Sequence, residues 1–185
     1  MLRIFSLILT STLLFSANAF ASYRSDLKKV SRSESLYDAQ VWDANVLWTS
    51  VLFTDEFRTS FAEQSIKKEH LEPTEAATAF ADQMKKQAAA TEFTLFLYTK
   101  KDYKKLTAGD DTFWKLRLQL PSGEWIRPST IELLPMTPYI RVMFPDVNRW
   151  AKAYRVTFPK QELKGEFTLH LQSVIGESSM KWNLK

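Results

Sequence analysis

The chain has 185 residues and no cysteine, and its 25 Lys and Arg against 21 Asp and Glu give a formal net charge of +4. The lack of cysteine excludes disulfides, thiolate metal ligands, thiol nucleophiles and a lipidated cysteine anchor. The mildly basic balance favours acidic surfaces, and without a nucleic-acid-binding motif it gives no reason to expect nucleic acid as a partner.

The first 21 residues have the composition of a secretory signal. Arg3 supplies a positive charge, residues 4–15 are apolar apart from Ser and Thr, and Ala19 and Ala21 are the small residues that a signal peptidase requires. The apolar run is shorter than the about 20 residues of a membrane span. We therefore expect cleavage of residues 1–21 and export to the periplasm or out of the cell, with no transmembrane span left.

Residues 22–38 are polar, so we expect a flexible mature N-terminus there. Residues 39–185 have the length of one domain with a sizeable core. The first predicted strand is the segment 46–53, which is apolar on both faces.

Two helices are predicted next, joined near Leu71 and Glu72, as an insertion over about 55–90. In the second helix, apolar side chains from Ala76 to Ala88 repeat every four residues, and Pro73 suits the first helical position. This stripe of small and apolar residues fits a groove for a partner, or more simply packing on the domain's own sheet.

Everything after Thr91 reads as strands separated by turns that contain Pro and Gly. Their apolar rows alternate with the period of two that is typical of β-structure. The rows lie in segments 93–98, 113–120, 140–144, 154–158 and 167–171, followed by a last strand over about 180–184.

This pattern predicts a mainly β fold, an antiparallel β-sandwich of immunoglobulin-like architecture with the two-helix insertion after its first strand. The alternative is an α+β domain with helices on one face of a single sheet.

Trp150 lies between two Phe-Pro pairs, Phe144-Pro145 and Phe158-Pro159. Each pair is interpreted as a strand end, because proline lacks the backbone donor that a continuing ladder needs. Trp150 itself has two interpretations. It either closes the end of the sandwich as an apolar plug or stands exposed as a stacking platform for a sugar or peptide.

Five basic side chains alternate with the apolar rows and are predicted to face outward: Lys115, Arg117, Arg141, Arg155 and His170. If their strands belong to one sheet, they form a basic face suited to phosphate or carboxylate groups. The simpler interpretation is an ordinary solvated face whose charges pair with acids from elsewhere.

Motifs for catalysis and for metal binding are sparse. The two histidines, His70 and His170, lack partners at metal-ligand spacing, so we expect no metal site and no cofactor. Three acids, Asp102, Asp110 and Asp111, could join in a calcium site, although turn chemistry explains them more simply. Paired carboxylates for glycoside hydrolysis leave no local trace, and the candidates are Asp43, Glu124 and Asp146.

Together these features predict an exported, non-catalytic binding or assembly module of a bacterial-type cell envelope. Its expected partner is an envelope protein or an anionic glycan or lipid, bound through the basic face or through Trp150. The alternative is an envelope hydrolase that uses paired carboxylates.

Overall fold

The computed structural model describes residues 22–38, 43–100, 106–109 and 112–184. The predicted signal, residues 1–21, lies outside these ranges, as do Asp102, Asp110 and Asp111 of the candidate calcium site.

The described residues form a mixed α/β structure with two antiparallel sheets. The helices are α1 (described residues 22–30), α2 (Asp55–Glu69), α3 (Pro73–Ala89) and α4 (Pro138–Met143). The strands are β1 (Ser31–Asp38), β2 (Asp43–Leu52), β3 (Ala90–Thr99), β4 (Lys115–Gln119), β5 (Trp125–Ile126), β6 (Thr130–Leu134), β7 (Lys152–Pro159), β8 (Gly165–Ser173) and β9 (Gly176–Leu184).

The five-stranded sheet has the order β1-β2-β3-β7-β6, and the four-stranded sheet has the order β5-β4-β8-β9. Their inner faces share one core. Phe93 of β3 packs edge-on against Trp182 of β9 with ring centroids 5.6 Å apart, and Trp182 stacks on Phe167 of β8 at 5.8 Å. The indole N–H of Trp48 in β2 donates to Ser178 Oγ in β9 at 2.9 Å, which ties the two sheets together.

The helices cover part of the outer face of the five-stranded sheet. Phe57 of α2 stacks on Tyr23 of α1, and Phe144, just after α4, contacts Phe96 of β3 with centroids 5.1 Å apart. As a result β3 is buried on both faces over most of its length, as its doubly apolar sequence predicts.

The helical hairpin is confirmed close to its predicted bounds, but it follows the second strand rather than the first. Thr54 caps α2 by accepting the Phe57 N–H at 3.2 Å, and His70 ends it in the left-handed conformation. Glu75 accepts the Glu72 N–H at 3.3 Å and Pro73 stands in the first turn, so α3 begins where its sequence predicts.

The apolar stripe of α3 does not pack on the sheet as expected. This helix lies mainly along α2, and none of its residues is fully buried. Phe80 and Met84 are therefore only half-covered.

The polar segment 22–38 is helix and strand in the structure, although its composition predicts a flexible terminus. Tyr23, Leu27 and Val30 lie at helical spacing and are buried, which anchors α1. Polar β1 is held by its antiparallel pairing with β2, in the register Ser33 to Thr49. This strand is therefore stabilised by its pairing with β2 and not by an apolar sequence pattern.

The predicted strand over 140–144 is a helix. Thr137 caps α4 by accepting the Ile140 N–H at 3.3 Å, and Pro138 occupies the first turn. Only Met143 of this helix is buried, so the alternation of Ile140, Val142 and Phe144 misled the sequence reading. Phe144-Pro145 thus ends a helix, whereas Phe158-Pro159 ends β7 as predicted.

Candidate functional site

Three of the five predicted basic residues lie on one face. Arg117 of β4 and His170 of β8 are direct register partners, and Lys115 pairs with Gln172 two residues along. Because antiparallel partners point to the same side, these residues share the outer face of the four-stranded sheet.

Arg141 and Arg155 lie elsewhere, so the five residues do not form one basic face. Arg155 belongs to β7 of the other sheet, where Glu132 and Glu92 contact it at 3.0 and 3.7 Å. Arg141 belongs to α4 and donates from Nη2 to the carbonyl of Arg149 at 3.3 Å. The sequence pattern could not show that Arg155 belongs to the other sheet, and it placed Arg141 in a strand where the structure has a helix.

Acidic and amide groups also surround His170. Its Nδ1 lies 2.8 Å from Glu177 Oε1, its Nε2 lies 3.3 Å from Gln119 Oε1, and its ring centroid is 4.6 Å from that of Trp125. The hydrogen bond with His170 is the main cause that holds the pKa of Glu177 below its ordinary value. This acid offsets part of the basic character of the face.

Trp150 is 69% exposed, so it is not a plug that closes the end of the core. The loop holds it in place. Asn148 Oδ1 accepts the Trp150 N–H at 2.9 Å, the Asn148 carbonyl accepts the Ala151 N–H at 3.0 Å, and the Arg149 guanidinium lies 4.9 Å from the indole centroid. An exposed indole on a tightly hydrogen-bonded turn is the geometry that the platform interpretation requires.

Trp150 borders a concave region at the end of β3, next to the last register pair of β3 with β7, Leu97 with Lys152. One cavity of about 430 Å³ lies beside it, and a second cavity of about 270 Å³ adjoins along β3 and the same loop. We call the two together the aromatic groove. It is lined by Leu97, Tyr98, Thr99, Trp150 and Lys152 and by Ser33, Glu34, Ser35, Tyr37, Leu47, Trp48, Thr49, Phe96 and Asn148.

The two cavities are neighbours because of strand register. Leu47 of β2 is the register partner of Tyr98 in β3, and Thr49 is the partner of Phe96. Asn148 lines one cavity and Trp150 the other, joined by their hydrogen bond. The groove is therefore formed by residues of four strands, β1, β2, β3 and β7, and of the loop before β7.

Trp150 could be singled out from the sequence, whereas the other residues of the groove could not. The one local signal for them is the alternation of Ser31, Ser33 and Ser35 with larger residues, which indicates a strand with one hydroxyl face. Tyr37, 64% exposed, lies at the end of that strand.

The carboxylates proposed for hydrolysis are not brought together as a visible pair. This holds for Glu124 and Asp146, which are exposed and lie in loops next to different sheets; the side chain of Asp43 lies outside the described residues, so pairs that include it stay a prediction. Within the described ranges, no group of three or more His, Asp or Glu could hold a metal ion. Among the same residues, no helix has the length and apolarity to cross a membrane.

Comparisons with protein-family models, with curated proteins and with solved structures find no match to this chain.

Proposed function

We propose that the protein is an exported, non-catalytic binding module of the cell envelope that holds its ligand in the aromatic groove. The observation that carries the proposal is Trp150, a large apolar side chain that is 69% exposed beside a cavity of about 430 Å³. Scattered surface hydrophobics are normal, but an aromatic ring fixed at the rim of a concavity is typical of binding sites.

The fixed position of Trp150 supports recognition rather than chance exposure. Its turn is closed by two hydrogen bonds that Asn148 accepts, from the Trp150 N–H and the Ala151 N–H, and Arg141 donates to the neighbouring Arg149 carbonyl. These bonds order the backbone at Trp150, and a preformed loop loses little conformational entropy on binding, so more of the contact energy remains as affinity.

Export rests on the sequence of residues 1–21, and the immunoglobulin-like form of the sandwich stays a prediction supported by two antiparallel sheets on one core. The basic face is a weaker candidate, because Arg155 is paired with acids and Glu177 accompanies His170.

The test compares two exposed tryptophans. The chain from Ser22 onward and its Trp150→Ala and Trp125→Ala variants are immobilised and exposed to solubilised envelope extract at low and high salt. Trp125 is the matched control, because it is 44% exposed on the other sheet.

We expect the wild type and Trp125→Ala to retain the same component and Trp150→Ala to lose it at both salt concentrations. Retention that is equal in all three proteins, or retention lost only in Trp125→Ala or at high salt, would contradict binding in the groove.

A further inference from the structure

We propose that the aromatic groove takes a neutral, hydroxyl-rich glycan chain, an inference that rests on the proposed binding function. Two exposed aromatic rings stand at the groove, Trp150 on the loop before β7 and Tyr37 near the end of β1. A sugar ring has an apolar C–H face that packs on such a ring and a hydroxyl rim that needs hydrogen-bond partners.

The polar lining of the groove matches that rim. It consists mainly of hydroxyl and amide side chains, namely Ser33, Ser35, Thr49, Thr99 and Asn148. Ser33 Oγ and Thr49 Oγ1 lie 2.8 Å apart, and either can donate to the other. A hydroxyl has one donor and two acceptor positions, so this pair keeps capacity for a ligand hydroxyl.

The charged side chains in the described lining are of both signs, with Glu34 in one cavity and Lys152 in the other. The Arg149 guanidinium lies 4.9 Å from the centroid of the Trp150 indole and is already engaged with that ring. An acidic polymer requires a surplus of Arg or Lys. An uncharged chain, whose binding changes little with salt, is therefore the proposed ligand class, and polygalacturonate tests the acidic alternative.

A peptide that binds by strand addition needs unpaired main-chain groups at a sheet edge. The interior strand β2 offers none, because it is paired with β1 on one side and with β3 on the other, whereas β1 is an edge strand of the sheet. A peptide added to β1 is therefore the alternative that the Trp150 and Tyr37 variants test, because main-chain pairing depends on neither ring.

The volumes of the two cavities leave room for more than one sugar unit. The two cavities hold about 430 and about 270 Å³, and each has its own exposed aromatic residue. A chain that contacts both Trp150 and Tyr37 should bind more tightly than a single sugar, because the second contact forms within an existing complex.

The experiment measures binding of neutral oligosaccharides by isothermal titration calorimetry. The probes are cello-, malto- and N-acetylated chito-oligosaccharides of increasing length, with polygalacturonate as an acidic comparison. The proteins are the chain from Ser22 onward and its Trp150→Ala, Tyr37→Ala and Trp125→Ala variants, each checked for its folded circular dichroism spectrum.

We expect at least one neutral series to bind, with affinity that rises with chain length and is insensitive to salt. Trp150→Ala and Tyr37→Ala should each lower the affinity by roughly tenfold or more, because an aromatic anchor contributes a large share of the binding energy and the substitution removes it. Trp125→Ala should leave it unchanged.

Three results would overturn the glycan assignment: no binding of any neutral series, preference for polygalacturonate, or affinity equal in all variants. If extract still yields a component that depends on Trp150, such as a protein or peptide, the binding function stands and only the ligand class is wrong. If that dependence is also missing, both proposals fall.

Discussion

Arg58 is a guanidinium that the fold buries almost completely, with 1% of the residue exposed. It donates from Nη2 to Glu92 Oε2 at 3.0 Å and from Nη1 to Gln83 Oε1 at 3.2 Å, and it lies 4.7 Å from the centroid of Phe53. Its Nε has no hydrogen-bond partner among the described residues. A buried charge of this kind is tolerable only while its counter-ion is present.

We therefore expect Glu92→Gln to destabilise the protein by roughly 3 kcal/mol, because it leaves the buried Arg58 charge uncompensated. The measurement is the free energy of unfolding in urea. Glu132→Gln is the matched control: it removes the other carboxylate that contacts Arg155, but at an exposed site, so it should cost less than about 1 kcal/mol. Equal effects from the two substitutions would contradict a special role for burial.

The candidate site could be predicted only in part at the residue scale. Trp150 was found because an aromatic residue between two Phe-Pro pairs stands out. Its exposure was not predictable, since the same sequence fits a plug. Tyr37 and Asn148 carry no local pattern of their own, and only strand register and loop geometry bring them to the groove.

At the scale of elements, a carboxylate fixes α1 on α2. Asp26 of α1 accepts from Ser60 Oγ of α2 at 2.6 Å and from Lys29 Nζ at 2.8 Å. Burial alone would raise the pKa of Asp26, but the hydrogen bonds from Lys29 and Ser60 outweigh it and hold the pKa below its ordinary value. The charged form thus favours the folded state.

The sign of the pH dependence follows. Because the folded pKa of Asp26 is lowered, its contribution is complete above the unfolded value of about 4 and is lost as pH falls through the folded pKa. Asp26→Asn should cost no more than about 1 kcal/mol near pH 7 and still less at pH 3. Urea unfolding of both proteins at the two pH values checks this, and a gap that widens in acid would rule it out.

The β8–β9 hairpin depends on a glycine. Gly176 has φ of 139°, and a Cβ there would lie 3.0 Å from Cδ1 of Leu36 in β1. Gly123 also has positive φ, at 86°, but a Cβ there would meet nothing within 4 Å. Alanine substitutions at the two positions therefore distinguish the cost of backbone strain alone from the cost of strain together with a steric clash.

We expect Gly123→Ala to cost about 1 kcal/mol through its backbone conformation alone. Gly176→Ala should cost roughly 2 to 4 kcal/mol, because strain and overpacking against Leu36 add. Thermal or urea unfolding gives both values. Equal losses of stability from the two substitutions would mean that the Leu36 side chain moves away from the new methyl group, so that the steric contact contributes nothing.

Most helices and strands with a strong apolar periodicity were predictable from the sequence, whereas most of those with a weak periodicity were not. The strands 93–98, 154–158 and 167–171 and the second helix of the hairpin carry clear apolar patterns and are confirmed within a few residues. The first helix is also confirmed, although its pattern is weaker. Such patterns are lacking in the short strands β5 and β6 and in the polar strand β1. These strands are stabilised by pairing with their neighbours rather than by burial of their own side chains, so their sequences do not reveal them. In α4, the alternation of Ile140, Val142 and Phe144 favours a strand, whereas the helix turns Ile140 and Met143 toward the core and leaves Val142 48% exposed.

For the whole molecule, sequence periodicity predicts antiparallel strands and inserted helices but not which strands share a sheet. That assignment depends on long-range pairs such as β3 with β7 and β4 with β8, which leave no local signal. The same gap explains in part why one basic face was expected, since its members are divided between two sheets and helix α4. The exposed groove likewise exists only once β1, β2, β3 and the loop before β7 are assembled.

Trp182 contacts both sheets and the N-terminal helix. It lies between Phe93 of one sheet and Phe167 of the other, and its indole N–H donates at 2.9 Å to the carbonyl of Val30, where α1 meets β1. In a chain without cysteine no disulfide supports these contacts. The core around Trp182 therefore couples both sheets and the N-terminal helix.

This coupling predicts the effect of Trp182→Ala. The cavity and the unpaired Val30 carbonyl should lower the free energy of unfolding by roughly 3 to 5 kcal/mol, whereas Trp125→Ala should cost less than about 1 kcal/mol. Unfolding is followed by circular dichroism, which reports helix and strand, and by tryptophan fluorescence. Since α1 and both sheets contact the same side chain, the two signals should have one common midpoint in each protein. Separate midpoints in the wild type would mean that the layers unfold independently, and Trp182 would then be a local contact rather than a link between them.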